Sequence, residues 1–336
     1  VSMILNKYTK SIVKSKIFDI NVKELRGKDF HSNLISRKNF IYKKLKKYLT
    51  TKKNIKCLLC GSKLSHRNIF NKWKNYKLFS CPKCGCVCTN IDFKTFKPEF
   101  FHNLEYKKKY IKKSIGKNFK YRLSKFGNER IKYIFDNIKF KTKKPNILDF
   151  ACGYGAFLYA LKKKKIRSKG IDFDDDSVEF CKKLNLNVSK ETISKEKDTS
   201  FDLITLFDVI EHLHQPNVFL QNAIKKLKNK GHILLFTPNI NSLSNILMGH
   251  EHDNFAIFDH VCFYNEKSIK YICKRYGLKL LKFDYYGLDI KDYFQKVEYE
   301  NKNFNQDILN DFSNLTQSFI DFSKASNSMR IILQKK

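Results

Sequence analysis

Asn146-Ile-Leu-Asp-Phe-Ala-Cys-Gly-Tyr-Gly-Ala-Phe157 is the stretch on which the fold of this chain turns. A short apolar run ends on Asp149. A loop carrying Gly153 and Gly155 follows at once, and an apolar stretch from Ala156 to Leu161 starts like a helix. A strand that delivers its carboxyl end into a glycine loop and a helix N-terminus makes a nucleotide pocket. The glycines let backbone approach a ligand without a Cβ in the way, and free N–H groups of the first helical turn point at it. Alone the loop is a weak signal, since glycines also make ordinary strand-to-helix turns.

Its surroundings strengthen it. About twenty residues on, Lys169-Gly-Ile-Asp-Phe-Asp174 reads as a second strand ending on Asp172, the spacing at which a βαβ nucleotide fold sets a carboxylate on the ribose hydroxyls. Phe201-Asp-Leu-Ile-Thr-Leu-Phe-Asp-Val-Ile-Glu-His-Leu213 is a buried-type strand running into Asp208 and His212, and Gly231-His-Ile-Leu-Leu-Phe-Thr-Pro-Asn239 is another with a polar exit. Short apolar runs alternating with helical stretches predict an α/β, doubly wound, mostly parallel sheet.

On these residues the chain resembles the class I S-adenosylmethionine-dependent methyltransferases, over roughly residues 146–281. The loop is closer to their D-x-x-C-G-x-G pattern than to the G-x-G-x-x-G of dehydrogenases, with Ala151 standing where many members have a first glycine. The 201–212 run is similar to the branch that includes ubiquinone-biosynthesis O-methyltransferases. The resemblance implies a Rossmann-like, seven-stranded sheet and S-adenosyl-L-methionine as cofactor. Asp149, Gly153 and Gly155, with Ala151 in the loop, would hold its methionine end. Asp172 would take the ribose, Phe173 would lie against the adenine, and Asp208 would sit where the strand passes beneath the sulfonium.

A second constellation lies upstream. Cys57-x2-Cys60 and Cys81-x2-Cys84 each run on into glycine, Gly61 and Gly85. Two such knuckles fit four thiolates around one tetrahedral Zn²⁺, and four protein ligands leave no open position, so the metal would be structural. Cys86 and Cys88 alternate along an outgoing strand, with Cys86 an alternative ligand. Cys152, Cys181, Cys262 and Cys273 read as small buried residues. A zinc-ribbon-like module ahead of the sheet resembles the nucleotide-sugar C-methyltransferases of deoxysugar and polysaccharide pathways. There a histidine after the fourth strand and a Tyr-His-Glu-His run after the fifth serve the chemistry. His212 matches the first. At the second the chain reads Ile257-Phe-Asp-His260, which keeps His260, places Asp259 for Glu and lacks the tyrosine. Transfer to oxygen therefore weighs at least as much as transfer to carbon.

The chain has 336 residues and a formal net charge of +35, which would ordinarily suggest nucleic acid. Only eight of its 67 basic residues are Arg, however, and the lysines are spread along the whole length. Readers of bases and phosphates lean on the planar Arg fork, so the charge is read as attraction for anionic small molecules, and nucleic acid as the lesser alternative. No apolar run is long enough for a membrane helix. The lysine-dotted first residues lack a secretory core, and zinc-type cysteines fit a reducing cytoplasm.

The organisation expected is a lysine-rich helical segment over 1–51, with apolar positions at Leu34, Ile41, Leu45 and Leu49, read as an accessory helix or a partly ordered tail, and a zinc module over 52–98. A helical cap follows over 99–145, and the methyltransferase domain over 146–336. Its last two strands, 277–283 and 328–333, would pair antiparallel around a helical insertion. His212, His260 and Asp259 are the candidate catalytic residues, either histidine being able to take a proton from a hydroxyl. The function expected is methyl transfer to a small-molecule, anionic, sugar-like acceptor. The alternative is an RNA-modifying or nucleic-acid-binding protein that uses the zinc module and the lysines.

Overall fold

The computed structural model describes residues 30–52, 54–102, 104, 119–301 and 310–336. Of the N-terminal segment, residues 1–29 lie outside the described residues, as do 105–118 of the cap and 302–309 of the insertion. Helix α1 (Phe30–Leu45) buries His31, Leu34, Lys38, Ile41 and Leu45, a spacing of three and four residues that makes one face. Four expected apolar positions are thus three on the helix and one beyond it, where Leu49 bridges Ile91.

The small module starts with a hairpin of β1 (Asn54–Lys56) and β2 (Lys63–Ser65). It continues with the antiparallel strands β3 (Ile69–Trp73), β4 (Tyr76–Ser80) and β5 (Val87–Thr89). Gly61 and Gly85 have φ of 75° and 77°, the left-handed turn each cysteine knuckle needs. Helix α2 (Asn128–Asn137) then leads to the central sheet, which opens with β6 (Ile147–Phe150), buried at all four positions. After it come α3 (Ala156–Lys163), β7 (Ser168–Ile171), α4 (Asp175–Lys183), β8 (Val188–Ser189), β9 (Phe201–Phe207) and β10 (Leu227–Pro238). Strand β11 (Cys262–Phe263) precedes β12 (Leu278–Tyr286), and β13 (Ser328–Lys335) ends the chain.

The seven-stranded sheet runs β12-β13-β10-β9-β6-β7-β8. Five of these strands are parallel neighbours, and β13 lies antiparallel between β10 and β12. The chain builds outward from β6 to β8 and then returns to lay β9 on the other side of β6. Strand order reverses there, and such a reversal opens a crevice at the carboxyl ends of the two strands. The expected helical insertion is present as Asp289–Glu300 and Asn310–Phe322 between β12 and β13. Among the described residues no helix is long and apolar enough to cross a membrane.

The two parts are stitched together. Strand β11, which follows the fifth strand of the large sheet, becomes the fourth strand of the small one, in the order β11-β5-β4-β3 with Cys262 opposite Cys88. A single apolar core joins them. Tyr76, 1% exposed, packs its ring 5.7 Å from Phe255 and 5.5 Å from Phe258. Cys262 is buried as expected, but it is more than a small core residue: its sulfur lies 2.7 Å from that of Cys86. Two-residue strands carry no periodicity, so sequence pattern could not disclose this seam. Cys152 and Cys273 are only half-buried.

Candidate active site

The glycine loop follows β6 into the crevice. Ala151, Gly153 and Gly155 all take left-handed φ, at 57°, 53° and 70°. A Cβ added at Gly153 would meet nothing within 4 Å, whereas one at Gly155 would strike Cys181 Sγ and Leu186 Cδ1, both at 2.7 Å. Gly153 therefore borders open space where a ligand could lie, and Gly155 lets α3 settle on the core. Asp172, at the end of β7, closes the loop: its carboxylate accepts from Gly153 N–H at 2.7 Å and from Asp174 N–H at 3.0 Å. Burial nevertheless raises its pKa. Phe173 beside it is 51% exposed and stands 5.9 Å from the Phe150 ring, an apolar face at the crevice edge. Asp208 is exposed at the end of β9 with φ of 57°, its N–H donating to Phe236 O at 2.9 Å.

Asp149 differs from the others. It is buried, and Thr205 on β9 donates to its Oδ1 at 2.7 Å. Burial pushes its pKa up to about 7, against the pull of Arg130. Arg130, on α2, escaped the sequence reading. Its guanidinium lies 3.9 Å over the Phe207 ring, within the fields of Asp208 and Asp149. Its Nε is buried without a hydrogen-bond partner among the described residues. Nothing near position 130 in the sequence distinguishes it from any helical arginine.

The three candidate catalytic residues converge. His212 ends a 3₁₀ turn, Ile210–His212, just past β9. Its Nδ1 lies 3.1 Å from Asp259 Oδ1 and 2.9 Å from Asp259 O. Two acceptors at one nitrogen hold the proton on Nδ1 and leave Nε2 as the basic atom. The His260 ring stands 4.7 Å from that of His212, nearly perpendicular, and Nδ1 of His260 donates to Asn254 O at 2.8 Å. Burial and then the neighbouring His212 charge lower its pKa. Val261 N–H donates to Glu211 O at 2.8 Å, so the two histidine loops are joined by backbone.

Glu211 is the second residue the sequence reading passed over. It is 1% exposed, Thr237 donates to its Oε2 at 2.9 Å, and its Oε1 has no partner among the described residues. Burial pushes its pKa up to about 8, so it is largely protonated at neutral pH. Ligand atoms of Glu211, His212 and His260 lie within 4.8 Å of one another, close enough for one divalent cation to bridge. His250 and His252 do not join them. The first stacks on Trp73, and the second is fully buried, accepting from Asn254 N–H.

Beside the histidines is a cavity of about 330 Å³. Its far wall comes from outside the sheet: Arg37 and Lys38 of α1, and Arg122 just before α2. Lys38 is buried and donates to His250 O, and burial with the nearby Arg37 charge lowers its pKa to about 8.

In the module, Sγ atoms of Cys57, Cys60, Cys81 and Cys84 lie within 4.8 Å of one another, with Cys57–Cys84 and Cys60–Cys81 both at 3.5 Å. Zinc–sulfur bonds of ~2.3 Å in a tetrahedron require sulfurs about 3.8 Å apart, so the four could hold one zinc with little movement.

A doubly wound sheet in this strand order, with a glycine loop after its first strand and an acidic residue ending its second, is the fold of the class I S-adenosylmethionine-dependent methyltransferases. Residues 119–282 match the methyltransferase domain family. The chain is 31% identical over 120 residues to the ubiquinone biosynthesis O-methyltransferase of Coxiella burnetii, covering 33% of this chain and 50% of that protein. It is 30% identical over 121 residues to the mitochondrial ubiquinone biosynthesis O-methyltransferase of Candida albicans, covering 31% and 36%. The chain thus spans about half the length, or less, of the curated relatives it matches. Among solved structures, a methyltransferase from Archaeoglobus fulgidus is similar at TM-score 0.46 and 17% identity, over 68% of this chain and 99% of that one. A Haemonchus contortus phosphoethanolamine N-methyltransferase 2 in complex with S-adenosyl-L-methionine is similar at TM-score 0.49 and 13% identity, over 74% and 62%.

Proposed function

We propose that this chain methylates a hydroxyl oxygen, or an enolisable carbon, of a small anionic acceptor bound in the cavity beside His212. The observation that carries the proposal is the His212–Asp259 pair at 3.1 Å opening on a cavity walled by Arg37, Lys38 and Arg122. Bound S-adenosyl-L-methionine supplies the electrophilic methyl group. In this reading the glycine loop, with Asp149 beneath it, would hold the cofactor's methionine end and Asp172 its ribose, Phe173 would offer the adenine an apolar face, and Asp208 borders the crevice. Arg130, whose buried Nε–H has no partner among the described residues, would be able to donate to the cofactor's carboxylate.

His212 Nε2 takes the acceptor's proton as the new bond to carbon forms, and Asp259 holds the ring in the competent tautomer and stabilises its positive charge. His260, kept neutral by its surroundings, packs edge-on against that ring and limits its rotation. Alignment supplies most of the rate in such a site, and the base supplies the rest. The three basic side chains recognise phosphate or carboxylate, so nucleotide-linked sugars are the first acceptor class to try. The names of the curated relatives favour oxygen as the receiving atom. A structural zinc on Cys57, Cys60, Cys81 and Cys84 would hold the module together.

The test is mass spectrometry of products formed from isotopically labelled cofactor with panels of nucleotide sugars, phosphorylated phenols and short RNAs. Label in an anionic small molecule is the expected result. Transfer to RNA alone, with affinity falling steeply as salt rises, would replace this reading with the nucleic-acid one.

A further inference from the structure

Three further thiols lie against the four-cysteine set. Cys57, Cys86 and Cys88 place their sulfurs within 4.8 Å of one another. Cys86 Sγ lies 3.7 Å from Cys88 Sγ, and Cys88 Sγ lies 3.8 Å from Cys57 Sγ. Those are the edge lengths of a tetrahedral zinc-thiolate site. Cys262 brings a fourth sulfur from the other side of the seam, 2.7 Å from that of Cys86 but outside the set of three that lie within 4.8 Å of one another, so it must shift toward Cys57 and Cys88 to complete a tetrahedron. Cys57, Cys86, Cys88 and Cys262 are all 2% exposed or less, so water is excluded. Leu58 N–H points at Cys88 Sγ at 3.3 Å, a donor placed to stabilise a thiolate rather than a neutral thiol.

We propose that the module binds two zinc-class divalent ions, not one, with Cys57 as the shared thiolate. The first ion is held by Cys57, Cys60, Cys81 and Cys84, and the second by Cys57, Cys86, Cys88 and Cys262. The inference rests on the single-zinc reading given above, since the two sites share a ligand. Binding displaces the thiol protons to solvent and changes no oxidation state. Cys86 and Cys262 move apart to a tetrahedral edge as the metal enters between them.

The second ion has a consequence for the active site. Cys262 lies two residues beyond His260, at the start of β11. On the same loop, Tyr76 of the module accepts from Phe258 N–H and donates to His260 O, each at 3.3 Å. The metal therefore rivets the loop that carries Asp259 and His260 to a rigid anchor, which makes Cys262 a positioning residue rather than a catalytic one.

The experiment is elemental analysis of the full chain, purified with zinc and without chelator, beside Cys262→Ser, Cys86→Ser and a Cys273→Ser control. Two zinc per chain are expected in the wild type and in Cys273→Ser, and one in each of the other variants. Cadmium-113 exchange into wild-type protein should give two resonances that couple to each other through the shared sulfur, a readout independent of how the variants fold. One zinc in the wild type overturns the second site and leaves the first standing. No zinc overturns both. Two uncoupled ions, two zinc retained in Cys262→Ser, or a brown protein holding iron and inorganic sulfide also overturns the proposal.

Discussion

His212 Nδ1 lies 3.1 Å from Asp259 Oδ1, although 47 residues separate the two in sequence. One residue ends the turn after β9 and the other belongs to the loop before β11, and the backbone bond from Val261 to Glu211 fixes their register. A histidine oriented by a carboxylate is a preorganised base, and the arrangement sets the order of effects expected from mutation.

His212→Ala should lower turnover by about 10²–10⁴ while cofactor affinity stays within twofold. Asp259→Asn should lose less, and the double variant should lose little more than His212→Ala alone, because the two act as a unit. Steady-state kinetics with calorimetry of cofactor binding checks this. Near-wild-type turnover in both single variants would assign the pair to packing.

The glycine loop should separate strain from function. Ala151→Gly relieves a left-handed alanine and should stabilise by about 0.5–1 kcal/mol. Gly153→Ala adds a Cβ that meets no protein atom, so its folding cost is confined to backbone strain while cofactor binding drops sharply. Gly155→Ala must push a Cβ into Cys181 and Leu186, and should be the least stable of the three. Thermal melts with and without cofactor give all three comparisons.

Asp172→Ala removes the acceptor proposed to bridge the ribose hydroxyls. Each charge-assisted hydrogen bond lost there is worth roughly 1.5–3 kcal/mol, so cofactor affinity should fall at least tenfold. Unchanged affinity by calorimetry would show that Asp172 serves only the Gly153 N–H.

Arg37→Ala and Arg122→Ala should raise KM for an anionic acceptor about tenfold or more each, with little change in kcat, since binding charge pairs act equally on ground and transition states. The ratio to wild type should shrink as salt rises. An equal loss with an uncharged acceptor analogue would point instead to disturbed packing of α1.

Stability should depend on pH through Glu211. Its pKa rises from 4.5 to about 8 on folding because the carboxyl is buried. A raised folded pKa means that the folded state holds the proton more tightly, so its contribution is fully present below 4.5 and is lost as pH rises through 8. Asp149 adds a loss of the same sign between 3.8 and about 7. Urea midpoints should therefore fall from pH 5 to pH 8, and Glu211→Gln should flatten that fall by at least about 1 kcal/mol. An unchanged slope in the variant would mean that Glu211 is ionised in the fold.

Much of this protein was legible because its signals are local. The apolar run before Asp149, Gly153 and Gly155 after it, and Asp172 about twenty residues on are each spelled in consecutive residues, and backbone sterics impose the same loop wherever they occur. The paired C-x2-C knuckles are equally local. The family match over residues 119–282 agrees with the sheet those signals predict. What only the tertiary structure decided depends on contacts across the fold. Arg37 and Lys38 reach the cavity because α1 packs against the Asp289–Glu300 helix and Lys38 donates to His250 O, and Arg130 comes within the fields of Asp149 and Asp208 through the placement of α2. Cys262 meets Cys86 at a separation of 176 residues through a strand too short to show a pattern. Spacing along a chain records which face of an element is apolar, but not which distant element will cover it. That choice is made by the packing of the whole core.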